Sequence, residues 1–166
     1  MVQTVIDAIN QQINNELWAS HSYLAMAAAC EQLNFPGAAT WLRIQSDEER
    51  GHALRLFDFV IARNGRVMLT NIDAPNHTKA KSLGEVFKGA LEQEEEVSRQ
   101  IDTLYELAHT NRDFASVVEL QWFLTEQVEE EKMARDIVAK LDLAGSDPAA
   151  LLEVDRELAA RVAQAR

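Results

Sequence analysis

Four amphipathic stretches of the chain each carry a polar side chain in the middle of an otherwise apolar stripe. In the first, Ile6, Ile9 and Ile13 lead to Glu16, followed by Ser20, Tyr23 and Leu24. In the second, Leu42 and Gln45 lead to Glu49 and His52, followed by Leu56 and Phe59. Phe87 and Leu91 lead to Glu94 in the third, before Val97, Ile101 and Leu104. Val117 and Leu120 lead to Gln127 and Glu130 in the fourth, before Ala134, Ile137 and Leu141. Carboxylates are almost never buried unless they are paired or bind a cation. Four such interruptions at similar depth point to a metal site inside a helical bundle.

The donor set narrows the metal. Oxygen ligands with one imidazole suit iron, manganese or zinc. His52 follows Glu49 by three residues and shares its face, as Glu130 does with Gln127. Four carboxylates and one histidine suffice for two ions if one carboxylate bridges. Glu49 is the natural bridge, with Glu16 and His52 on one ion and Glu94 and Glu130 on the other. Glu48, Glu126 and Glu129 lie one position off the stripe. They read either as a third, wetter cation site or exit path, or as an ordinary solvated face. Tyr23 lies two turns beyond Glu16, either packing with a hydrogen bond or donating an electron beside a redox metal. Trp18, Trp41, Trp122, Met26 and Cys30 read as packing, and His21, His77 and His109 as surface or loop residues.

Helices must position these groups. With three prolines and six glycines, mostly at boundaries, the chain reads almost wholly as helix. The first helix spans about Gln3 to Leu33, and the second starts at Pro36 and ends near Asn64-Gly65. The third follows Ser82 and reaches about His109; the fourth follows Thr110-Asn111 and ends near Leu143. A shorter fifth starts at Pro148 and runs to about Val162, within the range 147–163. The expected architecture is all-α: a four-helix bundle over 3–143 in one domain of residues 1–166. Short breaks after the first and third helices join antiparallel neighbours. The connection over 65–81, about 17 residues, reaches at most ~60 Å when extended. A helix of about 28 residues is only ~42 Å long. The connection therefore spans the bundle and leaves helices two and three parallel.

Composition excludes several classes. A net charge of −11 disfavours nucleic-acid binding. An acidic surface instead concentrates cations. No apolar run approaches a membrane span, and Met1-Val2-Gln3-Thr4 lacks the basic region of a signal peptide. The single Cys30 fits a reducing compartment, so a cytoplasmic setting is expected.

These motifs carry a resemblance. Asn15-Glu16-Leu17 with Tyr23, Glu48-Glu49-Arg50-Gly51-His52, Glu94 and Glu126-Gln127-Val128-Glu129-Glu130-Glu131-Lys132 together resemble the ferritins, most closely the non-haem bacterial type. The resemblance covers essentially the whole chain. It implies a ferroxidase centre that oxidises Fe(II) with dioxygen or hydrogen peroxide. Glu16, Glu49 and His52 would hold the first iron, and Glu49, Glu94 and Glu130 the second. Gln127 would lie beside the pair, Tyr23 would match a nearby tyrosine, and Trp122 an aromatic close to the centre. Glu48, Glu126, Glu129 and Glu130 would match a third iron site. The family assembles twenty-four subunits into a hollow cage that stores ferric mineral. Where haem-containing relatives carry a second Glu-x-x-His, this chain has Gln127 and Glu130. Arg50 follows Glu49, where those relatives place a haem-binding methionine between the Glu and the His, so no haem is expected. Two other classes remain in view: a diiron or dimanganese oxidoreductase acting on a small substrate, and a metal-free helical adaptor.

Overall fold

A computed structural model describes residues 2–75 and 79–163. Its elements are α1 (Gln3–Gln32), α2 (Pro36–Ala62), α3 (Leu83–Thr110), α4 (Phe114–Ala144) and α5 (Pro148–Ala159). No strand occurs among the described residues. His77 and Asn76 lie outside them.

Local chemistry sets the boundaries. The chain leaves α1, α2 and α3 through Asn34, Asn64 and Arg112, all with positive φ. At each, the next backbone N–H reaches back into the helix: Phe35 to Cys30, Gly65 to Val60 and Asp113 to Ala108. At the Asn64-Gly65 stop it is thus Asn64 that turns left-handed. Gly65 is needed for a different reason, because a Cβ there would come 2.8 Å from Val60 Cγ1. Ser82 caps α3 by accepting from the Glu85 N–H, and Asp147 caps α5 through Ala149.

Contacts along the helices give the topology. Ser20 meets Ser46 and Glu31 meets Arg43, so α1 and α2 are antiparallel. Gln12 meets Gln100 and Tyr23 meets Glu94, so α3 also opposes α1. Helices α2 and α3 are consequently parallel, as the long connection requires. Two asparagines in α1 guide the start of that connection. Asn10 accepts from Met68 N–H and donates to the Arg66 carbonyl, and Asn14 does the same with Thr70 N–H and the Met68 carbonyl. Two extended residues advance about 6.6 Å and one helical turn about 5.4 Å, so the amides at Asn10 and Asn14 match successive steps of the strap.

The fifth helix docks on α2 through a charge. Asp155 is buried and accepts from the Gly37 and Ala38 N–H groups at 3.1 and 2.7 Å, capping the open start of α2. Gly37 is required there, since a Cβ would lie 1.9 Å from the Asp155 carbonyl oxygen. Helix α5 stops at Ala159, short of the expected Val162. The Ala160 and Arg161 N–H groups bond three residues back, tightening the last turn and redirecting the chain toward α2.

The core is divided. One apolar cluster holds Met26, Cys30, Leu42, Phe87 and Leu141 at one end of the bundle. The other holds Ile9, Leu56, Ile101, Leu120 and Phe123 at the opposite end. Between them lies the layer of Glu16, Glu49, Glu94, Gln127 and Glu130, all buried. Four apolar assignments need correction; Ile6 and Leu91 are only partly covered, beside the buried Val5 and Ala90. Leu24 is 50% exposed, because the buried stripe of α1 runs through Ala19, Tyr23, Met26 and Cys30 instead. In α2 the buried position is Val60, with Phe59 only partly covered. Cys30 is fully buried, and desolvation pushes its thiol up to about 12, as suits a packing residue.

Candidate metal centre

Each helix delivers its side chains at the break between the two apolar clusters. Helix α1 supplies Glu16 and Tyr23, α2 supplies Glu49 and His52, α3 supplies Glu94, and α4 supplies Gln127 and Glu130. Glu16, Glu49, Glu94 and Glu130 are each at most 1% exposed. Two groups of three bring a ligand atom from each residue within 4.8 Å of the others: Glu16, Glu49 and His52, and His52, Glu126 and Glu130. Glu94 belongs to neither group. Its carboxylate takes the Tyr23 hydroxyl on one oxygen and the Gln127 amide on the other, the latter at 3.2 Å. The Gln127 amide also donates to Ser98 and the Glu94 carbonyl.

Glutamines hold the carboxylates in place. Gln12 donates to Glu16 Oε1 at 2.8 Å. Gln45 donates to Glu49 Oε1 at 2.9 Å and to Glu130 Oε2 at 2.8 Å, bridging α2 and α4. The remaining oxygens, Glu16 Oε2, Glu49 Oε2 and Glu130 Oε1, are buried without a hydrogen-bond partner. His52 Nδ1 lies 3.3 Å from Glu49 Oε2. Its ring meets Trp122 edge-on at 5.3 Å, and the Arg55 guanidinium lies over the Trp122 ring at 4.1 Å.

The electrostatics follow from this crowding. Burial, reinforced by the Glu49 charge, raises Glu16 and Glu130 to about 8. Burial and the charges of Glu49 and Glu130 hold Glu94 well above the usual carboxylate range. For Glu49, burial opposes ionisation, but the His52 imidazole and donated hydrogen bonds outweigh it and lower its pKa. Burial likewise opposes charge on His52, but the Glu49 carboxylate raises it to about 10. Burial thus favours the protonated form of Glu16, Glu94 and Glu130 around a charged Glu49–His52 pair, and a donor set of this kind fits a divalent ion.

The flanking acids separate. Glu126 is partly buried and joins the second group, with its pKa raised by burial. Glu129 is exposed. Glu48 is engaged by Arg161 at 2.6 Å. The supporting roles of Gln12, Gln45 and Arg161 were not read from the sequence. A signal for the glutamines exists: each precedes a buried glutamate by four residues, Gln12–Glu16 and Gln45–Glu49, the spacing at which side chains on one helix face meet. Arg161 had no such signal, since it lies 113 residues from Glu48.

Residues 6–144 match the family model described as Ferritin, a ferritin-like domain. The chain belongs to the ferritin family. It is 38% identical to the bacterial non-heme ferritin of Staphylococcus saprophyticus, covering 95% of this chain and 93% of that one. It is 36% identical to the bacterial non-heme ferritin of Staphylococcus aureus, covering 96% and 95%. Among solved structures, an open pore ferritin from the hyperthermophilic archaeon Archaeoglobus fulgidus is similar at a TM-score of 0.96. It is 40% identical, with 98% of this chain and 99% of that one covered. A humanized archaeal ferritin is similar at a TM-score of 0.97 and 39% identity, with 99% of each chain covered. The five-helix arrangement is therefore the ferritin fold, and the polar layer lies inside its bundle.

Proposed function

We propose that this ferritin chain takes up Fe(II), oxidises it within its own bundle and keeps the ferric product as mineral inside a hollow homo-oligomer. The observation that carries this reading is the set of buried carboxylate oxygens in the layer: Glu16 Oε2 and Glu130 Oε1 have no hydrogen-bond partner, and Glu49 Oε2 has the His52 imidazole at 3.3 Å.

Iron enters the reaction as substrate. Glu16, Glu49 and His52 take one Fe(II), and Glu49, Glu94 and Glu130 take a second, with Glu49 bridging. Binding displaces the protons held by Glu16, Glu94, Glu130 and His52. Two Fe(II) each give up one electron to dioxygen, which takes two protons and leaves as hydrogen peroxide; peroxide can serve as the oxidant in its turn. Anionic oxygens favour the ferric product because they stabilise the higher charge. Gln127 and Tyr23 hold Glu94, and Tyr23 also places a phenol at the edge of the centre. Glu126 offers a carboxylate on the outer side, where Fe(III) can leave. Haem has no part in this reading.

Exposed apolar side chains support assembly: Phe114, Val118 and Val128 on α4, and Met68, Leu69 and Ile72 on the connection. A cage of twenty-four copies is the form the family resemblance implies, and a cytoplasmic setting suits the single cysteine. No helix among the described residues is long and apolar enough to cross a membrane.

Replacing the bridging ligand tests the reading. Glu49→Ala should slow the appearance of ferric absorbance in stopped-flow mixing of Fe(II) with oxygen by about 100-fold or more, beyond what residues that merely support a ligand cause. Size-exclusion chromatography should show the assembly intact. Oxidation at the unaltered rate would remove the proposed centre.

A further inference from the structure

Arg161 follows the last helix, where a side chain would ordinarily be solvated, yet only 11% of its side chain is exposed. Its guanidinium lies over the Trp41 ring at 4.2 Å. One nitrogen donates to Glu48 Oε2 at 2.6 Å, and the other to the Trp41 carbonyl at 3.4 Å and to Gln45 Oε1 at 2.8 Å. With Asp155 at Gly37 and Ala38, the last helix and the segment after it touch α2 from its first turn to Glu48.

Gln45 is fully buried between that segment and the metal centre. A side-chain amide has one NH2 group and one carbonyl oxygen, and the two exchange places only by a half turn. The Gln45 NH2 has two hydrogens and two acceptors, Glu49 Oε1 at 2.9 Å and Glu130 Oε2 at 2.8 Å. Its carbonyl oxygen therefore points the other way, and the donor it meets there is Arg161. Without Arg161 that oxygen would be a buried acceptor left unsatisfied. A half turn would not help, because it would set the oxygen against the two carboxylates. A planar guanidinium can hold Gln45 and Glu48 together while lying on Trp41, which a single ammonium cannot do.

We propose that Arg161 is a positioning residue for the metal centre: it fixes the Gln45 amide with its donors toward Glu49 and Glu130. This rests on reading those two glutamates as ligands. The docking of α5 and the segment after it then helps set the geometry of a site to which neither contributes a ligand.

Anaerobic calorimetric titration of the whole assembly with Zn(II) tests this in Arg161→Leu and Gln45→Leu, singly and combined. Arg161→Leu should weaken Zn(II) binding by about tenfold, the effect expected when a group behind a ligand is lost. In the Gln45→Leu background the same substitution should change nothing further, because the amide through which Arg161 acts is gone. A merely structural role would weaken binding equally in both backgrounds. That result, or unchanged binding in Arg161→Leu, would overturn the proposal and leave the centre standing. An unaltered protein that binds no Zn(II) would overturn both. If Arg161→Leu fails to assemble, alone or combined, Arg161→Lys decides. It keeps the charge but loses the fork, so binding should weaken by about threefold with Gln45 present and not at all with Gln45→Leu. Unchanged binding, or equal weakening in both backgrounds, would overturn the proposal.

Discussion

Glu49 and His52 are the two groups of the layer whose mutual attraction favours their charged forms. The surroundings of their neighbours favour the protonated form: Glu16 and Glu130 are raised to about 8 and Glu94 well above the usual carboxylate range, each mainly through burial. This gives a pH dependence with a definite sign. A raised carboxylate pKa means that the folded state holds protons the unfolded chain has lost, so these groups lower stability as pH rises from about 4.5 to about 8. His52, raised to about 10, stabilises fully below its usual 6.5 and loses that contribution as pH rises through 10. On the proposed reading, metal binding replaces these protons. The rise in melting temperature on anaerobic loading should therefore grow between pH 5 and 8, with proton release measurable by calorimetry in buffers of different ionisation enthalpy. A rise that does not change with pH would argue against protonated acids in the metal-free layer. Gln45 is the other residue with a clear prediction. Gln45→Leu removes donors from Glu49 and Glu130 together and should weaken metal binding about 10- to 100-fold by calorimetry.

At the scale of elements, the docking of α5 depends on one buried carboxylate. Asp155→Ala removes both hydrogen bonds to the start of α2 and should cost about 1–3 kcal/mol in chemical denaturation. Gly37→Ala should be worse, because the methyl meets backbone rather than a flexible side chain. The helices themselves were legible in the sequence. Apolar spacing and boundary residues placed the helix ends close to where they lie, and the length of the connection gave the parallel pair. The interrupted stripes gave Glu16, Glu49, Glu94 and Glu130 because a buried acid contradicts its neighbours in a way that periodicity reveals. Contacts between distant segments left no such trace. The Asp155 cap, the Asn10 and Asn14 strap and the Arg161 contact each join ordinary surface-type residues that are far apart in the chain, and only folding brings them together. Leu24 was misplaced for a related reason: the stripe of α1 follows its neighbours rather than a fixed register.

For the whole molecule, the polar layer has a cost that the proposed metal site explains. Dividing the core places acids where continuous apolar packing would be more stable, and the two clusters on either side must hold the fold. The exposed apolar residues of the connection fit contacts between copies. Ile72→Glu, which charges a side chain that is 47% exposed, should shift the assembly toward small oligomers in analytical ultracentrifugation while the monomer keeps its helical circular dichroism. An undisturbed assembly would place the subunit contacts elsewhere. The central claim is that side chains from four helices converge to hold a pair of Fe(II) ions. Anomalous scattering at the iron edge from crystals soaked anaerobically in Fe(II) tests it most directly. Two peaks should appear inside the bundle, one against Glu16, Glu49 and His52 and the other against Glu49, Glu94 and Glu130. Iron found only on outer surfaces, with none between the helices, would contradict it.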